Sequence, residues 1–228
     1  MTMKNYFPFT DYDFYAYLTS GTLTLSVFDF AFNEAKFLTH ADWNFIQIVA
    51  AVTTAYVTGH IIATLAQLTI ETFAVSKLIS KPIVLQLGFK KPNFVERIIG
   101  VLVGRYYEPL EPSIQETILA QARTALSKAP EDTLNAEDVF QVGFKRSFAF
   151  EGVRGRIDSF LNQYGFCRNI AFVALLSTVV FVWRGYCSDF PYENELLIGS
   201  ILVFVGMFIR FVKFLASFQA EVVRCLLK

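Results

Sequence analysis

WNFIQIVAAVTTAYVTGHIIATLAQLTI, from Trp43 to Ile70, runs for 28 residues without a Lys, Arg, Asp or Glu. Wound as a helix it rises roughly 42 Å at 1.5 Å per residue, more than the roughly 30 Å hydrocarbon core of a bilayer. Trp43 at its head favours the membrane interface, and Glu71 and then Lys77 close it. The stretch reads as a transmembrane helix that continues past the lipid, and the rest of the chain is arranged around it.

Composition agrees. Of 228 residues 54% are hydrophobic, 25 are Phe, 18% are charged and the mean hydropathy is +0.43. A soluble domain carries about 25% charge, so the apolar excess here calls for a lipid outlet. Net charge is zero, which gives no argument for a nucleic-acid partner. The N-terminus meets Lys4, Asp11 and Asp13 before any apolar run, so no signal peptide is expected, and insertion would use the first span itself. Cys167, Cys187 and Cys225 have no metal-like spacing and read as small apolar residues.

Phe14 to Phe28 is uncharged, with Tyr12, Tyr15 and Tyr17 crowding its start like an interfacial belt; a first span is expected over about 13–33. Thr19, Thr22, Ser26, Asp29 and Asn33 recur at steps of three and four, one face of a helix. In the second span, about 43–70, Thr53, His60, Thr64, Gln67 and the following Glu71 share a face by the same arithmetic. Polar stripes in membrane helices face protein or water, not lipid. The two stripes are therefore expected to meet, either as hydrogen-bonded packing or as the wall of a polar path. In an antiparallel pair Gln47 is better placed than His60 to meet Asp29, because His60 lies about 25 Å along the helix from Trp43.

Between Thr72 and Arg105 the apolar runs Pro82–Phe89 and Ile98–Val103 are too short to span. They are expected to lie on the membrane surface or to form a shallow re-entrant turn. Tyr106–Gly165 reads as a water-facing helical domain. Pro112 opens one helix, with Ile114, Ile118, Ala122 and Leu126 on its apolar face and Ala129-Pro130 at its end. Asn135 is the expected N-cap of a second helix, with Glu137 and Asp138 in its first turn. That helix is expected to end near Phe150, with Gly152 and Gly155 as punctuation. A third span is expected over about 168–186, where Arg168 and Arg184 flank an uncharged run, and a fourth over about 195–216, where Gly199 and Gly206 suit close helix contact.

The expected architecture is all-α and polytopic, with four transmembrane helices and a helical cytoplasmic insertion between helices two and three. It divides into an N-terminal hairpin (1–76), the insertion (77–166) and a C-terminal hairpin with a helical tail (167–228). The loop from Lys77 to Arg168 holds 13 Lys and Arg and the tail from Arg210 four, against only Lys36 and Arg184 on the other side. The positive-inside rule then places both termini in the cytoplasm, and a bacterial inner membrane is the expected location.

No HExxH, GxSxG, P-loop or dinucleotide fingerprint occurs, and His40 and His60 are too far apart to share a zinc ion. Neither metal nor cofactor is expected. Glu131-Asp132 and Glu137-Asp138 read as solvated helix-start acids rather than a catalytic pair. Arg146, Arg154, Arg156 and Arg168 form a basic set ahead of the third span that could meet anionic lipid head groups or an anionic partner. These features suit a non-enzymatic membrane anchor, sensor or effector whose cytoplasmic domain binds a protein partner. The alternative is a homo-oligomeric channel, pore or transporter lined by the stripes. The topology is tested with a reporter active only outside the cytoplasm: a fusion at Asp189 is expected to be active and one at Pro130 silent, and activity at Pro130 overturns the orientation.

Overall fold

Eight α-helices make up the computed structural model, and no strand occurs among the residues it describes, which are 13–104, 107–129, 132–187 and 193–227. The expected aromatic lead at Tyr12, the helix stop at Pro130 with Glu131, and the turn around Pro191 lie outside them. A π-helical segment, Asp13–Leu18, runs into α1 (Thr19–Asn33); α2 (Phe45–Ala66) continues as a π-helix, Gln67–Leu78. Short helices α3 (Pro82–Gln86) and α4 (Phe94–Val103) follow, then α5 (Pro112–Leu126) and α6 (Ala136–Ser147). Two long helices, α7 (Glu151–Cys187) and α8 (Glu193–Arg224), lead to a closing 3-10 turn, Cys225–Leu227.

Three helical stretches are long and apolar enough to cross a membrane: Phe45–Thr72, Glu151–Cys187 and Asn194–Leu227. The segment expected as a further span, 13–33, contributes an α-helix of only 15 residues behind its π-helical lead. Glycine did not interrupt the approach to the third expected span. Gly152 and Gly155 lie inside the 37-residue α7, which begins well before Arg168.

Local chemistry accounts for the helix starts. Asn44, Asn93 and Asn135 each accept a hydrogen bond from the backbone N–H three residues on, and the side chains of Gln47, Glu96 and Asp138 reach back to the cap N–H. These reciprocal bonds satisfy donors that a helix start would otherwise leave open. Pro112 occupies the first turn of α5, where its missing N–H costs nothing. That helix stops at Leu126, ahead of the expected Ala129-Pro130, because Ser127 turns left-handed at φ 54°.

The chain forms two compact units: Met1–Thr72 with Gly165–Phe208, and Phe73–Tyr164 with Ile209–Lys228. Residues 167–208 are thus grouped with the N-terminal hairpin and 209–228 with the insertion. In the first unit α1 and α2 approach backbone to backbone. A Cβ at Gly21 would strike the Ala55 carbonyl, and one at Gly59 the Tyr17 carbonyl. The buried face of α2 is accordingly small or slim: Ala55, Gly59, Ile62, Ala63 and Ala66. Buried hydroxyls on α1 are satisfied within the helix, Ser20 Oγ on the Ala16 carbonyl (2.6 Å) and Thr24 Oγ1 on the Ser20 carbonyl (2.8 Å). Further along, Ala31 packs with Val180 and Phe181 of α7. A Cβ at Gly199 or Gly206 would meet nothing within 4 Å, so the close contact expected at them is not made among the described residues.

The second unit has its own core of Ile83, Leu87, Ile118, Ala122, Val139, Val223 and Leu226. The first of the two runs expected at the membrane surface is therefore internal: Pro82, Ile83, Leu85 and Leu87 are buried. The C-terminal helix bonds two of its polar groups. Gln219 Oε1 accepts from the Ile83 N–H (2.8 Å), and Gln86 Nε2 donates to the Ala216 carbonyl (3.3 Å).

The backbone approach predicts that Gly59→Val forces the hairpin apart. It is expected to cost about 3 kcal/mol, read as a lower unfolding midpoint of the detergent-solubilised protein, whereas Gly199→Ala should stay within about 0.5 kcal/mol of the parent.

Candidate functional site

The residues singled out in the sequence separate into three places. The first is the turn between α1 and α2. Glu34 and Ala35 both adopt positive φ (52° and 59°), which L-residues rarely do, and Asp29 holds them there. Its carboxylate accepts from Leu38 N (2.9 Å), Phe37 N (3.2 Å) and Asn33 Nδ2 (2.8 Å). Asp29 is thus a turn-locking residue, buried by its own connector. The expected Asp29–Gln47 contact is not made, because the Gln47 side chain is spent on the Asn44 cap (2.9 Å). Both residues do line one cavity of about 730 Å³, walled by Phe28, Phe37 and Trp43 with Asn33, Lys36 and His40 among its polar groups. That volume lies in the range of small-molecule pockets.

The second place is the outer face of α2. Thr53, His60, Thr64 and Gln67 are all exposed and do not face the α1 stripe. At 100° per residue their face lies about a third of a turn away from the Ala55–Gly59 face. On α1 the buried polar residues are Ser20, Thr24 and Asp29; Thr22 is exposed, and Thr19 and Ser26 are half-buried. The helices pair through small residues because backbones can then close to contact, which polar side chains would prevent. The threonines are satisfied internally, Thr53 on the Val49 carbonyl (2.8 Å) and Thr64 on the His60 carbonyl (3.1 Å). His60 stacks on Tyr17 at 3.9 Å between centroids, with Tyr56 edge-on at 4.6 Å.

The third place joins two residues that the sequence kept apart. Arg168, 7% exposed on α7, donates from Nη1 to Glu71 Oε2 (2.8 Å) beyond the end of α2. It also leans on Asn169 Oδ1 (3.4 Å), while Asn169 Nδ2 donates to the Ala16 carbonyl (3.1 Å). Arg168 is therefore an internal ion-pair residue and not a lipid-facing cation. A guanidinium at this depth needs a carboxylate partner, and Glu71 supplies it. The other three arginines belong to the second unit and have separate partners. Arg146 donates to Gln121 Oε1 (2.8 Å), Arg154 lies over the Phe148 ring, and Arg156 pairs with Glu221.

Acids in the second unit are spent on structure as well. Glu96 is completely buried; its oxygens accept from Ser80 N (2.6 Å) and Asn93 N (2.6 Å), with Lys90 Nζ at 3.7 Å. Burial pushes its carboxyl up, but the Asn93 and Ser80 hydrogen bonds and the Lys90 charge outweigh that and hold it below the usual glutamate range. Burial, and then the Glu96 charge, push the neighbouring Tyr107 phenol up. Lys90 also donates to Ser80 Oγ (2.8 Å), so it bridges Ser80 and the buried Glu96. Asp138 is held low by the Lys128 hydrogen bond (2.7 Å) and by the Asn135 N–H, and Glu137 reaches Lys81 at 3.4 Å. Among the described residues no group of three or more His, Cys, Asp or Glu could hold a metal ion.

Fold and site together define an all-α protein with three candidate membrane spans, in which Asp29, Glu71, Glu96, Asp138 and Arg168 are tied into caps, turns and ion pairs. Comparison with known protein families, curated proteins and solved structures finds no match for this chain. The sequence reading missed the Glu71–Arg168 pair because the partners stand 97 positions apart; the one available signal was an acid and a base each bordering an apolar run. Removing Glu71 (Glu71→Ala) strands the buried Arg168 and should cost roughly 2–4 kcal/mol of unfolding free energy, against less than about 1 for Glu137→Ala at the exposed Lys81 pair. Unfolding midpoints in detergent check the difference, and the double swap Glu71→Arg with Arg168→Glu should recover part of the loss.

Proposed function

We propose that this chain is a non-enzymatic multi-pass protein of a bacterial inner membrane, acting as an anchor, sensor or effector within an assembly. In this reading the segment 13–33 joins the three long apolar helices as a fourth span, and both termini and the insertion 77–166 lie in the cytoplasm. The 21 helical residues from Asp13 to Asn33, packed against α2, support the fourth span, since about 20 suffice to cross a bilayer. The second unit binds a cytoplasmic protein partner. The observation that carries the reading is where the chain spends its reactive side chains. Asp29, Glu71, Glu96 and Asp138 each hold a turn, an arginine or a helix cap, which favours a role in binding over one in chemistry.

A second reading, a homo-oligomeric pore or channel, is favoured by the outward face of α2. His60 and Gln67 are exposed on a helix whose other exposed positions include Ile61 and Leu68. Polar side chains turned outward from a spanning helix have to meet another copy, another protein or water.

One experiment separates the readings. The exposed Cys187 is replaced by Ser, leaving the buried Cys167 and Cys225, and one cysteine is added at a time, at Thr64 or, inside the hairpin, at Ser26. The solubilised mass is measured by light scattering, and a water-soluble thiol reagent is applied to the protein in sealed vesicles. A mass several times 25.9 kDa with Thr64→Cys unreactive is expected for an assembly packed through α2. The same mass with rapid reaction at Thr64→Cys shifts the function to a pore. A monomer overturns the pore and the α2 contact between copies, leaving the partner surface to the second unit.

A further inference from the structure

α4 is fixed to its unit by one face and leaves the other uncovered. The fixed face carries Glu96, buried and bonded to Ser80 and Asn93, and Val103; Gly100 abuts the Tyr107 ring. The uncovered face carries Phe94 (78% exposed), Val95, Ile98, Val101 (85% exposed) and Leu102. At 100° per residue these five positions fall within an arc of about 120°, a continuous apolar strip. Exposed basic residues border it. Lys91 precedes the helix, and Arg97 falls at the edge of the strip beside Val101. Glu96 is the only acid between residues 90 and 103, and it is turned inward, so the rim offered outward is cationic.

An apolar strip with a cationic rim matches the headgroup–acyl boundary of an anionic bilayer: the strip enters the lipid, and the basic side chains stay at the phosphates. A ten-residue helix binds weakly by itself. Here the chain supplies the proximity, because Phe94 follows Thr72, the last residue of a candidate span, by 22 positions. We infer that α4 is a membrane-surface anchor that seats Phe94, Val95, Ile98, Val101 and Leu102 in an anionic leaflet, with Lys91 and Arg97 on lipid phosphates. The inference rests on the membrane reading above. It assigns α4 a lipid class as ligand.

The test uses the full chain with Cys187→Ser and either Val101→Cys or, as a control on the exposed side of α5, Glu116→Cys. Each protein is reconstituted into nanodiscs of phosphatidylcholine alone or mixed with phosphatidylglycerol. In the anionic discs Val101→Cys is expected to react with a water-soluble maleimide about tenfold more slowly than Glu116→Cys. A fluorophore at position 101 should be quenched by a spin label placed shallowly on lipid, and adding Lys91→Glu with Arg97→Glu should restore the reactivity. Equal maleimide rates at the two positions overturn the anchor. Protection without lipid-borne quenching overturns it in favour of contact between copies of the chain. Equal protection and quenching in both lipids overturn the anionic requirement. A chain that does not enter the discs overturns the membrane reading itself, whereas a reconstituted chain with a reactive Val101→Cys overturns only the role of α4.

Discussion

The first unit depends on the distance at which two helix backbones can meet. Gly21 and Gly59 remove the side chains that would hold α1 and α2 apart, so the carbonyls of Ala55 and Tyr17 occupy the space where a Cβ would stand. Contact at that range gains dispersion along both backbones and leaves no room for a polar side chain between them. It also dictates what the rest of α2 can do. With one narrow face committed to small residues, every polar side chain on the helix is turned elsewhere. Thr53 and Thr64 answer by bonding back to their own helix, and His60 by stacking between two tyrosines.

The ionic groups follow a similar economy. Exposed pairs in this chain, such as Lys36–Glu34 at 3.3 Å, add little, because water already solvates both partners. The buried charges are few, and each is met more than once: Arg168 by Glu71 and Asn169, Glu96 by two backbone N–H groups and Lys90. A buried charge answered in this way fixes one arrangement of the elements around it, since any other leaves it unpaired in a medium that solvates it poorly.

Much of this was legible in the sequence, and the boundary of legibility has a physical basis. Uncharged length alone disclosed the helix from Phe45 to Thr72, and the Asn135 cap and the Pro112 start were readable because they depend on neighbours within a turn. The α1–α2 contact escapes the polar pattern because polar spacing is conspicuous and small-residue spacing is not; Ala55 and Gly59, four apart in Ala55-Tyr-Val-Thr-Gly59, form the interface, yet they stand out less than Thr53, His60 and Thr64. Similarly, Pro82–Phe89 was placed at the membrane surface because it is short and apolar. Its true environment is supplied by residues about 130 positions later, at Ala216 and Gln219, which no local pattern could reveal.

That long-range closure bears on how the protein is made. The core around Ile83, Leu87, Ile118 and Val139 is completed by Val223 and Leu226, and the α3 backbone is bonded by Gln219. During synthesis the insertion therefore emerges well before the segment that seals it. At about 5–20 residues per second the ribosome needs several seconds or more to travel from Ser147 to Leu226. Throughout that interval Ile118 and Val139 lack part of their apolar cover, and Gly143 waits for the Val222 carbonyl that will press against it. A chain stopped short of Ile209 would carry the insertion with its core open.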